Sequence, residues 1–153
     1  MCCLIKVSTK VECGILALMD IALYAEEGKP VTVSSISKRQ NLSIKYLEQI
    51  LVVLRQANLV RSLKGFKGGY VITKPAEQIT LRTVIDALDV TVLADVDFYE
   101  EADDAVLKGI VNHYLWNPMT SYLRKFCDNI TLFDLIEQYR SVLTAIEGPM
   151  YYI

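Results

Sequence analysis

The chain has a single histidine, a single tryptophan and only four cysteines, at positions 2, 3, 13 and 127. One imidazole, with no nucleophile and base at motif spacing, leaves nothing on which to build an enzyme mechanism. The cysteines lack the close spacing of an iron–sulfur site. No apolar run approaches the ~20 residues of a bilayer span, and the opening Met1–Lys6 is too short for a signal peptide. A cytoplasmic chain with no membrane partner is expected. Disorder is excluded by composition, since 52% of the 153 residues are apolar. That length suits one domain, or a small domain with an appendage.

The net charge of −2 conceals a division along the chain. Residues 1–75 hold eleven lysines and arginines against five acids, a net of +6, and the remainder holds five against thirteen, a net of −8. A polyanion is drawn to the first half and repelled by the second. Thr9-Lys-Val-Glu12 has the form of a capping box opening a helix. The apolar run Ile15 to Tyr24 continues that helix toward Gly28 and Pro30. Val31–Val33 reads as a short extended segment, and Ser34 or Ser35 as the cap of a short second helix reaching Gln40. Asn41-Leu42 is the turn after it. A third helix begins at Ser43 and runs to about Asn58, with Leu47, Ile50, Leu51 and Leu54 forming one apolar stripe. Lys45, Tyr46, Glu48, Gln49, Val52, Arg55 and Gln56 lie away from that stripe or at its edges. Two helices joined by a tight turn, the second with a polar outer face, form a helix-turn-helix.

Two β-prone runs, Leu59–Ser62 and Tyr70–Thr73, flank a glycine-rich cationic tip made of Lys64, Gly65, Phe66, Lys67, Gly68 and Gly69. Positive φ is expected of the three glycines. A tip of this kind is commonly a solvated turn, but its place directly after the third helix favours a wing against phosphate or minor groove. The same run lacks the Gly-Lys-Ser/Thr ending of a nucleotide-binding loop and opens no helix. The fold class is therefore mainly α with a small β-hairpin, a winged helix-turn-helix domain followed by further helices.

Ser8-Thr-Lys10, Tyr46-Leu-Glu-Gln-Ile50, Leu54-Arg55, Leu59–Ser62, Lys64-Gly65, Gly68-Gly-Tyr70 and Asn129-Ile-Thr-Leu132 together resemble the Rrf-type family of bacterial transcription regulators. The resemblance covers nearly the whole chain and is strongest over residues 8–75. It implies a homodimer on double-stranded DNA, the third helix in a major groove and the wing against a minor groove. Matched position by position, it implies base contacts from Tyr46 and Glu48, with Lys45, Gln49 and Arg55 beside or beyond them, and a minor-groove approach by Lys64. Glu48 suits a cytosine amino group, and Tyr46 offers a hydroxyl and an apolar ring. Ser8, Thr9, Lys10, Lys38 and Arg39 are better suited to phosphate. The bland alternative for each of these is a solvated side chain.

Thr80–Leu88 reads as a helix capped by Thr80, with Leu81, Val84, Ile85 and Leu88 inward. Residues 1–90 thus form the winged domain, and residues 91–112 an acidic loop carrying six acids between Asp95 and Asp104. A solvated loop fits this composition better than a hard-cation site, because calcium-loop spacing is absent. Cluster-bearing relatives place three cysteines in this loop, and this chain has none. His113 matches a ligand position of some relatives, but without cysteine partners it reads as a packing or dimer residue. Neither metal nor cofactor is expected. Cys13 and Cys127 read as small buried hydrophobes, with redox sensing the alternative.

Residues 113–147 read as dimerisation helices, with His113, Leu115, Met119, Leu123, Phe126 and Ile130 toward a second subunit. Pro118 calls for a kink or a helix start. Thr131–Asp134 resembles a cap for a last helix with Leu132, Leu135, Ile136 and Tyr139 inward. The tail, residues 148–153, resembles the end of the cysteine-metabolism repressor branch, the cluster-less branch to which the chain is most similar. That likeness implies a repressor, of cysteine or sulfur metabolism, signalled by a cysteine-synthesis enzyme or by a small-molecule effector. The reading from another class is a protein-interaction module that uses the dimer helices and acidic loop, with a vestigial DNA-binding domain.

Overall fold

The computed structural model describes residues 7–25, 29–95 and 105–148. Cys2, Cys3, Gly28, Asp97, Glu100, Glu101, Asp103, Asp104 and the tail Met150–Ile153 lie outside the described residues. Helix α1 (Thr9–Tyr24) is the central element, and the helices Val33–Gln40, Ile44–Gln56, Leu81–Leu88 and Leu132–Glu147 and the hairpin are all in contact with it. Its cap is Ser8 rather than Thr9. Ser8 is the last extended residue, with ψ 148°, and its Oγ accepts from the Val11 amide at 3.4 Å. Glu12 is then one residue too far along to complete a capping box. The helix also stops at Tyr24, short of Gly28, because Ala25 turns to extended backbone.

Helix α2 (Val33–Gln40) is capped by Thr32, not by Ser34 or Ser35. Val31 is held in an antiparallel bridge to Tyr70, so Thr32 is the first residue at liberty to turn, and its Oγ1 accepts from the Ser35 amide at 3.1 Å. Asn41 ends α2 in the left-handed region, φ 53°, a conformation that asparagine tolerates better than most residues. Helix α3 (Ile44–Gln56) follows at once, with the Ser43 hydroxyl accepting from Tyr46. Leu47, Ile50, Leu51 and Leu54 are fully buried, as their spacing requires. At about 2 kcal/mol per buried side chain, this stripe is the main force holding α3 to the core.

Strands β1 (Val60–Leu63) and β2 (Gly69–Ile72) pair antiparallel, Val60 opposite Ile72 and Leu63 opposite Gly69. Only Gly65 of the three tip glycines has positive φ, at 136°. Gly69 is needed for space instead: a Cβ there would lie 2.5 Å from the Val31 carbonyl oxygen, where the third chain segment crosses the hairpin. A short 3-10 turn, Ala76–Gln78, leads to α4 (Leu81–Leu88), capped by Thr80 as expected.

Helices α5 (Ala105–Val111) and α6 (Asn117–Asn129) are joined by a π-helical turn, Asn112–Trp116, where the Asn117 amide donates to the Asn112 carbonyl five residues back. The segment expected to remain loop to residue 112 is therefore already helical from Ala105. Pro118 sits in the first turn of α6, and the wider turn before it accommodates a residue that has no amide hydrogen to donate. Helix α7 (Leu132–Glu147) opens with a complete capping box between Thr131 and Asp134. Residues after the presumed loop do not stand apart from the winged domain. Cys127, Leu132 and Ile136 belong to the same core as Leu18 and Leu51, and the Leu81 and Leu132 amides donate to the Ile130 and Ile79 carbonyls respectively, each at 2.8 Å.

A buried carboxylate fixes α2 on α1. Asp20, 1% exposed, accepts from Arg39 Nε at 2.9 Å, Arg39 Nη2 at 2.6 Å and Gln40 Nε2 at 2.8 Å. The same guanidinium lies 4.2 Å from the centre of the Tyr24 ring. Asp20's hydrogen bond holds the arginine's pKa above its ordinary value, against the opposing pull of burial. Arg39→Ala should lower stability by about 3 kcal/mol, toward the low end for breaking a buried pair because Gln40 still donates; an unchanged urea midpoint would show that the clamp contributes nothing. Gly69→Ala should cost about 1–3 kcal/mol through overpacking against Val31, with the same measurement as its check.

Candidate nucleic-acid interface

The apolar stripe of α3 dictates what the opposite face offers. At ~100° per residue, Lys45, Gln49, Val52 and Gln56 lie at the centre of that face, with Glu48 and Arg55 along one flank. All six are exposed. Tyr46 lies on the other flank, half-buried, with its ring packed on the edge of the core. Tyr46 and Glu48 thus border the exposed face from opposite sides. Arg55 lies ~15 Å along the axis from Lys45 at 1.5 Å per residue, which is more than the ~12 Å width of a major groove.

Beyond α3, the wing projects Lys64, Gly65, Phe66 and Lys67, all exposed, and the Gly68 amide closes the tip on the Gly65 carbonyl at 3.0 Å. Phe66 is fully exposed, with no protein surface to cover it. Among the described residues Lys38, Lys45, Arg55, Lys64 and Lys67 close no ion pair, so their charges stay available to an anion.

Two residues expected at phosphate are engaged otherwise. Arg39 has its fork closed on Asp20 and its face on Tyr24. Ser8 caps α1 and faces Asp89. The Asp89 carboxyl is held below the usual carboxylate range, chiefly by the Thr91 hydroxyl and amide, with smaller help from Ser8 and the charge of Lys10. Lys10 is half-buried beside this group, whereas Thr9 and Lys38 are exposed.

The expected dimer residues also divide. His113, Leu115 and Phe126 are exposed, whereas Met119, Leu123 and Ile130 are half-buried, and Leu123 packs on the protein's own core. Tyr139, expected inward, is 37% exposed and lies beside Tyr24, where its hydroxyl pushes the Tyr24 phenol up from its ordinary pKa. Sequence reasoning missed the exposed apolar residues that continue the helix face: Leu107, Val111 and Tyr114 before Pro118, and Tyr122 after it. Leu107, Val111 and Tyr114 recur at four and three residues, and Tyr122 follows eight later. Assigning residues 91–112 to a loop concealed the first two.

Cys13 and Cys127 are buried, as expected, and burial is the main cause that raises both thiol pKa values, assisted by Glu12 and Asp128 respectively. Raised thiols are poor metal ligands and poor nucleophiles.

The family model described as "Rrf2: Iron-dependent Transcriptional regulator" matches residues 7–138. The chain belongs to the Rrf2 family. IscR of Erwinia tasmaniensis, an HTH-type transcriptional regulator, is 34% identical over 140 residues, spanning 92% of this chain and 84% of its own. Among solved structures, CymR of B. subtilis, described as the global cysteine regulator, superposes with a TM-score of 0.74 at 31% identity, covering 88% of this chain and 98% of that one. IscR of T. potens gives 0.73 at 32% identity and covers 97% of both. As an Rrf2 member the chain is a DNA-binding transcription regulator and not an enzyme, and the winged helix-turn-helix reading stands. Among the described residues no helix is long and apolar enough to cross a membrane.

The iron in the family's description finds no matching donor set in this chain's described residues. No group of three or more histidine, cysteine, aspartate or glutamate side chains converges there, and the two described thiols are single, buried and raised in pKa. Lys64→Ala and Lys67→Ala should each reduce the slope of log affinity against log salt by about 1, read by fluorescence anisotropy, if each neutralises one phosphate. An unaltered slope in both would remove the wing from the interface.

Proposed function

We propose that the protein is a homodimeric, cluster-less repressor that works in the cytoplasm on genes of cysteine or sulfur metabolism. The observation that carries the DNA half is the α3 face with its unpaired cations, set beside a wing tip whose lysines have no acid partner among the described residues. Lys45, Tyr46, Glu48 and Gln49, from the first turns of α3, take the base edges, since the start of a recognition helix enters the groove most deeply. Arg55, expected among the base contacts, is assigned to the backbone because it lies ~15 Å along the helix axis from Lys45. Thr9, Lys10 and Lys38 take phosphate, and Arg39 is withdrawn from that set because Asp20 occupies it.

Support for the dimer is the apolar face on α5, the π-turn and α6, where Tyr114, Leu115, Tyr122 and Phe126 are 75%, 48%, 74% and 60% exposed. Aromatic exposure on that scale along one helix is costly in water and is offset when a second copy covers it. The pathway rests on likeness to CymR, described as a global cysteine regulator. A cysteine-synthesis enzyme or a small-molecule effector would supply the signal. The cluster-less reading rests on the absence of cysteine from residues 91–112 and on the donor chemistry above.

DNA from upstream of the protein's own gene and its neighbours is the substrate for the test. Affinity should fall steeply between low and moderate salt, and Glu48→Ala should change which sequence is preferred while leaving the salt slope unchanged. Indifference to both salt and sequence would sink the reading. Phe126→Glu should shift the sedimentation coefficient toward the monomer and weaken DNA binding by about 100-fold or more, because two linked half-sites bind far better than one. A brown visible absorption band in anaerobically purified protein would overturn the cluster-less assignment.

A further inference from the structure

A cavity of about 350 Å³ opens between α1, α2 and α7, built from residues other than the α3 reading face and the wing. Leu16, Met19 and Leu23 of α1 supply an apolar wall. Asp20 and Tyr24 stand beside them on the same helix, and Arg39 and Gln40 of α2, both bonded to Asp20, complete the lining with Tyr139 of α7, which neighbours Tyr24. The volume is within the range of small-molecule sites.

The lining decides what kind of molecule fits. Asp20 carries one negative charge and Arg39 one positive, and they are already paired, so the wall is formally neutral. A charged ligand would shed its water without finding an unbalanced opposite charge. A wholly apolar one would cover the two phenol hydroxyls and the Gln40 carboxamide, which can both donate and accept, without engaging them.

We propose that this cavity binds a small net-neutral organic molecule with an apolar body and a hydrogen-bonding head, and that its occupancy is coupled to DNA affinity. The coupling rests on the DNA-binding reading and on position. Arg39 and Gln40 are the last two residues of α2, immediately before the Asn41 turn that launches α3, and Tyr139 is on α7. A molecule touching both Gln40 and Tyr139 discriminates between arrangements of α2 against α7, and only such differential contact shifts an equilibrium.

The probe is 4-hydroxyphenylacetamide, neutral and of matching size, titrated into the full chain without DNA and followed by amide NMR shifts. Saturable binding is expected, with shifts centred on Asp20, Gln40 and Tyr139. Binding should be lost in Leu23→Trp, which fills the space, and weakened about fivefold or more in Tyr139→Phe. The Tyr139 variant removes one hydroxyl from a part-exposed side chain and serves if the tryptophan variant does not fold. The anionic analogue 4-hydroxyphenylacetate should bind about tenfold more weakly. Absence of saturation, shifts centred elsewhere, or equal affinity in the two variants and the parent would overturn the site. Equal affinity for the anion would overturn the ligand class. With saturating probe, affinity for upstream DNA should change at least about fivefold, and an unchanged value would overturn the coupling. A protein that binds no DNA even without probe would instead sink the regulator reading, and the titration still decides the cavity.

Discussion

A single buried carboxylate sets the geometry of the reading head. Helix α2 has only one fully buried residue, Ile36, so apolar burial alone does little to orient it. Asp20 supplies what burial does not. Its two oxygens take three donors from the last two residues of α2, which fixes where that helix ends on α1. Because Asn41 and Leu42 follow at once, the end of α2 is also the starting point of α3. Taking a carboxylate out of water costs several kcal/mol, and only a well-formed set of charged donors offsets it. The arrangement is consequently specific: rotating α2 by one residue would leave Asp20 buried and unpaired.

Around that clamp the described residues share one core and leave two regions exposed. The α3 stripe, the inward face of α1, α4 and the start of α7 form the core. One region carries the cations of α3 and the wing. The other is a helical arm, residues 105–126, whose large side chains are mostly uncovered. The arm is anchored at its far end by Arg82 to Asp128, at 3.0 Å, and by Arg124 to the Leu93 carbonyl and Asp95, at 2.9 and 3.0 Å. These polar ties are partly solvated and worth little individually. What they add to the buried Cys127 and Leu132 is direction, aligning the arm with the body from which it departs.

The parts of this arrangement that were legible share a cause. Leu47, Ile50, Leu51 and Leu54 are read correctly because a helical stripe repeats a local spacing, and Ser43, Thr80 and Thr131 are read correctly as caps because a hydroxyl reaches only two or three residues. Thr32 was misassigned because Val31, paired with a residue 39 positions later, decides where α2 may begin. Gly68 and Gly69 were assigned positive φ, yet what they provide is room for backbone passing close by. The helix from Ala105 was hidden by acidic neighbours whose composition suggested loop throughout. Arg39 shows the same limit within the candidate site: an exposed-looking arginine on a helix-turn-helix suits phosphate until Asp20, nineteen residues earlier, is found beneath it.

The sequence by itself determined the class of molecule: period and charge along residues 43–70 specify an amphipathic helix followed by a cationic hairpin, and both properties are local. Tertiary structure alone decided which cations stay open and which are consumed, that Tyr46 is half-buried against the core, and that Tyr24 and Tyr139 meet at a cavity. The reason is physical. Hydrophobic periodicity and capping act within a few residues, whereas hydrogen bonds and ion pairs are satisfied by whatever the packed chain brings within about 3 Å, and that proximity is a property of the whole fold.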